Sequence, residues 1–198
     1  MRTVDPAKHA ARRRHIAEAA AVCFARNGFE GTTTADICAA AGVSSGTLFH
    51  YFPSKKAIFL ALFEQDAQET AALLAEARTD EDPWRAVLNV VATLAAPASD
   101  PIAPGLMMAI LSLAGRDQEV AELLERNDVE ACAGLADLLD AAVAQGRIDP
   151  GVDTRVAASW ALGLVDTLYL RADPDRGFDP VEQARTIELI LTRFLRAA

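Results

Sequence analysis

The sequence predicts an all-α fold of nine helices, with a three-helix head over residues 1–52 and a six-helix body over residues 53–198. Three observations carry that expectation. Apolar residues recur at three- and four-residue spacing along most of the chain, and no segment shows the strict alternation of a half-buried strand. Start and stop signals punctuate the pattern: Asp-Pro pairs at Asp5-Pro6, Asp82-Pro83 and Asp179-Pro180, and Gly or Pro breaks between the periodic runs. Residues 28–52 also hold two short helical segments joined by a Gly-containing turn, the build of a helix-turn-helix.

Each element follows in order. Asp5 is an N-cap and Pro6 a first helical residue, so helix 1 starts there and runs to about Asn27. Its apolar face is Ile16, Ala19, Ala20, Cys23 and Phe24, and Asn27-Gly28 ends it. Thr33 and Asp36 have the spacing of a capping box and start helix 2, which ends at Ala41. Helix 3 runs from about Ser44 to Tyr51, stopped by Pro53. Ser54 can cap helix 4, which extends from about Lys55 to Arg78. Helix 5 follows Asp82-Pro83 to about Ala96. Pro97, Pro101 and Pro104 break the chain before a short apolar helix 6, Gly105 to Ala114. Helix 7 spans about Gln118 to Gln145, with a turn over 146–151. Helix 8 follows Asp153 to about Arg171. A loop covers 173–179, and helix 9 runs from there to the end.

Bulk properties narrow the function. A chain of 198 residues, 52% apolar, buries a sizeable core and is not disordered. No apolar run reaches the length of a membrane span. Arg12-Arg13-Arg14 is not followed by the apolar run of a secretory signal, so a cytoplasmic protein without a membrane partner is expected. The net charge of −9 hides an asymmetry. Residues 1–63 carry eight Lys or Arg against four acids, whereas residues 64–198 carry eleven Arg against twenty-four acids. A basic head on an acidic body points to a polyanion partner for the head. Cys23, Cys38 and Cys132 fit no zinc spacing; Cys23 and Cys38 fall at apolar helix positions and read as core residues. No nucleophile elbow, metal-ligand cluster or phosphate-cradling Gly loop is present, so neither an enzyme nor a cofactor or metal is expected.

In the head, Leu48 should point inward with Phe24 and Ile37, and the small residues Ala40, Gly42 and Val43 should let helices 2 and 3 approach closely. Ser44, Ser45, Gly46, Thr47 and His50 lie at the start and outward side of helix 3, where short polar side chains allow close approach to base edges. Thr33 and Thr34 begin helix 2, where hydroxyls and free amides can hold a phosphate. Lys56 reads more readily as a solvated charge than as a contact.

The ordered series Gly-Phe, Thr-Thr-Thr, Ala-Gly-Val-Ser, Gly-Thr-Leu-Phe, Tyr-Phe and Ser-Lys-Lys resembles the TetR family of bacterial transcriptional regulators, densely over residues 12–63. The resemblance implies the TetR-like nine-helix fold, a homodimer, a double-stranded DNA operator, and a body that dimerises and often binds a small ligand. It further implies base contacts for Thr47 and His50, and phosphate contacts for Tyr51 and Lys55. Two positions depart from the family pattern: Ser45 stands where Lys is frequent, and Phe49 where Tyr is frequent. Each removes a phosphate contact, so a shallow salt dependence of binding is expected.

Val156, Trp160, Leu164 and Leu168 form a stripe on helix 8, and Ile187, Ile190, Leu191, Phe194 and Leu195 one on helix 9. Two such stripes can pair with their copies in a two-fold four-helix interface. A pocket among helices 4–8 is expected for a small hydrophobic effector, lined by Phe63, Trp84, Leu88, Val91, Met107, Met108, Leu111, Leu135 and Trp160. Any of these also suits an ordinary helical core. Asp166 is a charge among apolar neighbours, open to solvent, to the dimer partner or to the ligand. The expected function is a ligand-responsive repressor on a palindromic operator. The alternative is a regulator that senses redox or electrophiles through Cys23 or Cys38.

Overall fold

The computed structural model describes residues 5–149, 151–172 and 178–195. Among these, the regular structure is helical: α1 (Pro6–Gly31), α2 (Thr34–Ala41), α3 (Ser45–Tyr51), α4 (Lys55–Ala77), α5 (Pro83–Ala95), α6 (Ala103–Ala114), α7 (Gln118–Ala144), α8 (Thr154–Arg171) and α9 (Pro180–Leu195). A turn of 3-10 helix, Ala96–Ser99, follows α5. Most of the loop expected at 173–179, and the last residues expected in helix 9, lie outside the described residues.

The caps explain most boundaries. Asp5 accepts from the N–H groups of Ala7 and Lys8, Asp82 from those of Trp84 and Arg85, and Asp153 from those of Arg155 and Val156. Gly28 interrupts α1 with φ 69° and ψ 174°, so the straight helix ends where Asn27-Gly28 had suggested. The break before α6 is shorter than the three prolines imply. Pro104 occupies the first turn of α6, where a missing N–H costs nothing.

The chain forms two compact units that do not follow a boundary at residue 52/53. The first comprises residues 1–65 and 105–123, the second residues 66–104 and 124–198. Two contacts hold α6 and the start of α7 in the first unit. A Cβ on Gly105 would run into the backbone carbonyl of Ala25, so α6 and α1 meet main chain to main chain. The Lys56 ammonium lies 2.6 Å from the Asp117 carboxylate and 2.7 Å from that of Glu119. It is therefore paired, not simply solvated. The core of the first unit includes Ile16, Phe24, Ile37, Leu48, Phe52, Ile58 and Phe59, all essentially inaccessible to water.

The second unit has its own core, built by α5, α8 and α9 with parts of α4 and α7: Trp84, Val87, Val90, Leu135, Leu139, Ala158, Val165, Leu168, Ile187 and Leu191. Ion pairs Arg78–Asp137 (2.9 Å) and Arg147–Asp82 (3.0 Å) lie at its edge.

Candidate nucleic-acid interface and effector region

α3 is set by what surrounds it. Gly42 caps α2 with φ 61°, a left-handed conformation that glycine adopts without strain. A Cβ there would meet nothing within 4 Å, and Ala40 is exposed. The turn therefore needs Gly42 for its backbone angle, not for the close helix approach expected of Ala40, Gly42 and Val43. Ser44 caps α3: its Oγ accepts from the Thr47 N–H at 3.1 Å and lies 2.9 Å from the Thr47 hydroxyl. Leu48 and Phe52 anchor the helix from below, fully buried. Ser45, Gly46, Phe49 and His50 face solvent, and Thr47 and Tyr51 are half-buried. At Gly46 a Cβ would meet only the Ser44 Oγ, at 3.9 Å, so the outer backbone of α3 is bare.

The start of α2 is more self-contained than expected. The Thr33 hydroxyl donates to the Asp36 carboxylate at 2.6 Å and accepts from the Asp36 N–H at 3.1 Å. The Thr33 N–H donates to the same carboxylate at 2.9 Å. These bonds, the Thr33 hydroxyl first, hold the Asp36 carboxyl below the usual carboxylate range. Asp36 thus supplies the negative charge that a helix N-terminus favours, and Thr33 acts first as a cap. Thr34 is half-buried beside it.

Lys55 departs furthest from expectation. Its Nζ donates to the carbonyls of Phe29 (2.6 Å) and Thr32 (2.8 Å) and sits 4.3 Å from the centroid of the Phe29 ring. The ammonium expected to hold a phosphate also closes the end of α1. Sequence reasoning missed this because the partners are main-chain atoms, which carry no residue signature. It also missed Thr32, buried with its hydroxyl 2.7 Å from the Gly28 carbonyl and 3.1 Å from that of Cys23. It missed His9 as well, which packs against α3.

The residues expected to line a pocket fall in both units. In the first unit, Phe63 packs on the Phe59 ring at 5.2 Å and Met107 is half-buried. Met108 and Leu111 are exposed, because Ala109, Ile110 and Leu113 take the inner face of α6. In the second unit, Trp84, Val91 and Leu135 are core, and Leu88 packs against that core. Trp160 is 68% exposed. Ala157, Ala158, Ala161 and Val165 form the inner side of α8, so Trp160 is turned outward and does not form an enclosed wall.

The α8 and α9 stripes divide in the same way. Leu168, Ile187, Leu191 and Leu195 are buried within the second unit. Val156, Trp160, Ile190 and Phe194 stand outside it, Phe194 at 71% exposure.

Asp166 lies with Asp66, Asp128 and Tyr169 in the second unit. Burial, then the charge of Asp128, pushes the Asp166 carboxyl up; burial, then Glu69, does the same to Asp66. Solvent still reaches both side chains. The Tyr169 hydroxyl donates to the Leu94 carbonyl at 2.6 Å. Its pKa is pushed up to about 12 by burial, with Asp66 and Asp166 adding to the shift. Burial raises the Cys23 thiol, and Asp36 adds to this. A reactive sensor cysteine needs the opposite shift, so the thiol-switch alternative gains no support.

An exposed two-turn helix, capped at its start and delivered by a tight turn from a second short helix, defines the class of helix-turn-helix proteins. The model of the tetR family of bacterial regulatory proteins matches residues 16–62, and that of the C-terminal domain of BetI-type transcriptional repressors matches residues 84–196. The chain belongs to the TetR family.

It is similar to the transcriptional repressor AcnR of Corynebacterium diphtheriae, 43% identical over 65 residues. That match spans 33% of this chain and 34% of AcnR, so it concerns about a third of the repressor's length. It is similar to the transcriptional regulator UidR of Escherichia coli K12, 29% identical over 77% of this chain and 76% of UidR. Among solved structures, Salmonella enterica GusR superposes with a TM-score of 0.74 at 28% identity, covering 93% of this chain and 95% of GusR. FadR of Bacillus subtilis, solved in complex with stearoyl-CoA, shares the fold with a TM-score of 0.75 at 21% identity, over 90% of this chain and 97% of FadR. Among the described residues, no single helix is long and apolar enough to cross a membrane.

Proposed function

We propose that this protein is a transcriptional repressor that binds a palindromic operator as a homodimer and releases it when a small hydrophobic effector enters the second unit. The observation that carries the DNA-binding half is α3 itself. Ser45, Gly46 and His50 face solvent on a helix whose inner side is fully buried. Short side chains and bare backbone suit close approach to base edges in a major groove. Ser44 and Thr47 would sit at the groove-facing start of the helix. Tyr51 and the start of α2 at Thr34 would position phosphates.

Dimerisation is assigned to the outer faces of α8 and α9. Val156 and Trp160 on the one helix, and Ile190 and Phe194 on the other, are spaced one turn apart, large and exposed. A pair of such faces is self-complementary under a two-fold axis. Two-fold symmetry would set two copies of α3 about one DNA turn apart, roughly 34–36 Å.

The effector half is supported by the cluster of Asp66, Asp128, Asp166 and Tyr169, set beside an apolar core. α4 is one helix whose first turns belong to the first unit and whose last turns belong to the second. A ligand that displaces its second half would act on the first through the unbroken backbone. The ligand must favour the released state through unequal affinity for the two states.

Titration of the purified protein against an operator duplex, read by fluorescence anisotropy, tests the core of the proposal. Thr47→Glu and His50→Glu should each weaken binding at least tenfold while thermal stability stays near that of the parent. Unchanged binding in both variants would overturn the assignment of α3. A panel of apolar acids, acyl-thioesters and sterol-like compounds should contain a class that lowers operator affinity. A panel that never alters affinity would overturn the effector half alone.

A further inference from the structure

We propose that His9, on the first turn of α1, is a positioning residue for operator recognition, holding Tyr51 and His50 of α3 in the orientation that meets DNA. The inference rests on the reading of α3 as the helix that enters the groove.

Three rings from two helices meet here. His9 lies 4.6 Å from Tyr51, centroid to centroid and tilted by 42°; it lies 6.1 Å from His50, edge on at 75°. His50 and Tyr51 are themselves 5.1 Å apart at 83°. Each ring therefore packs near the other two. One turn along α1, the Arg13 guanidinium stands 4.6 Å over the Phe52 ring, just past the end of α3. The first two turns of α1 thus dock along the C-terminal end of α3.

α3 needs this support. It has seven residues, far too few to be stable on its own, and its orientation is set by what packs against it. Ser44 fixes its start, and Leu48 and Phe52 fix its depth. His9 adds a ring contact to the side chains at positions 50 and 51, and it is itself held in place. The Asp5 carboxylate caps α1 through the amides of Ala7 and Lys8, and the Asp5 carbonyl accepts from the His9 N–H at 3.0 Å. Paired aromatic contacts of this kind contribute enough to bias a half-exposed side chain toward one rotamer. His9 therefore acts on sequence-specific contacts through the orientation of His50 and Tyr51 without reaching the groove itself.

The test uses the full-length protein and a duplex selected by it from a random pool, with a scrambled duplex of equal length as reference. His9→Ala should weaken binding to the selected duplex about tenfold and change binding to the scrambled duplex by less than about threefold. The slope of log K against log salt should stay that of the parent. His9→Phe, which keeps the ring and removes its nitrogens, should restore at least half of the lost binding free energy. Parent-like binding by His9→Ala would overturn the proposal and leave the DNA-binding reading intact. So would an equal loss on both duplexes, with a shallower salt slope and no rescue by phenylalanine, which would make His9 a direct phosphate contact. A parent protein that selects no sequence would overturn the DNA-binding reading and this proposal with it.

Discussion

At the scale of single residues, a charge that the sequence offers to a partner also has partners within its own chain. The Lys55 ammonium bonds two carbonyls at the end of α1 and covers the Phe29 ring. Replacing it by methionine leaves those carbonyls without their charged donor. Lys55→Met should cost on the order of 2 kcal/mol in chemical denaturation, with weaker operator binding as a consequence. A variant of parental stability whose salt slope drops by about one per subunit would identify Lys55 as a phosphate contact instead.

Asp166 has the opposite character. Its folded carboxyl titrates above the ordinary value of 3.8, chiefly through burial, so its charge opposes folding at neutral pH. That penalty is present above the raised folded value and disappears below the unfolded one. Asp166→Asn should therefore raise Tm at pH 7.5, with a gain that shrinks as the pH falls and vanishes only below 3.8. Thermal melts of both proteins across that range provide the measurement. A variant less stable than the parent at pH 7.5 would show that the charge serves an attractive partner.

Among the described α-helices, α3 is the shortest and leans on its neighbours, and α6 is constrained by a close backbone contact. Gly105 lies in the first turn of α6, where the α1 backbone leaves no room for a side chain. Ordinary helix propensity favours alanine over glycine by up to about 1 kcal/mol. Here the order should reverse, because the added methyl meets the rigid Ala25 carbonyl and not a movable side chain. Gly105→Ala should destabilise the protein by about 1–3 kcal/mol, or lower Tm by several degrees. Stabilisation would mean that α6 can slide on α1. The caps are the elements' most legible feature. Asp5, Thr33, Ser44, Asp82 and Asp153 each accept from amides two or three residues on, as their residue types and spacing indicate.

For the whole molecule, the outer faces of α8 and α9 decide whether a single chain suffices. Trp160 and Phe194 expose large apolar side chains that a lone subunit leaves in water. Trp160→Glu combined with Phe194→Glu should turn a dimer into a monomer in analytical ultracentrifugation and abolish tight operator binding. The far-ultraviolet circular dichroism should be kept, because neither side chain belongs to the core of its unit. A parental sedimentation coefficient for the double variant would place the interface elsewhere.

Local signals determined the helices, their caps and the exposed probe α3, because helix periodicity, N-caps and the αL turn at Gly42 act within a few residues of chain. They also marked Leu48, Phe24 and Ile37 as the core of the head, since each lies on the apolar face of its helix. The tertiary structure alone decided partners distant in sequence. Lys55 reaches main-chain carbonyls 23 and 26 residues away. Lys56 pairs with an acid 61 residues on, and Gly105 rests against the backbone of Ala25. It also decided which half of each α8 and α9 stripe turns inward, because the small alanines of α8 set the inner side and leave Trp160 outside. Periodicity shows that a face is apolar. Only the packing of the other helices shows whether that face meets its own chain or remains open to another.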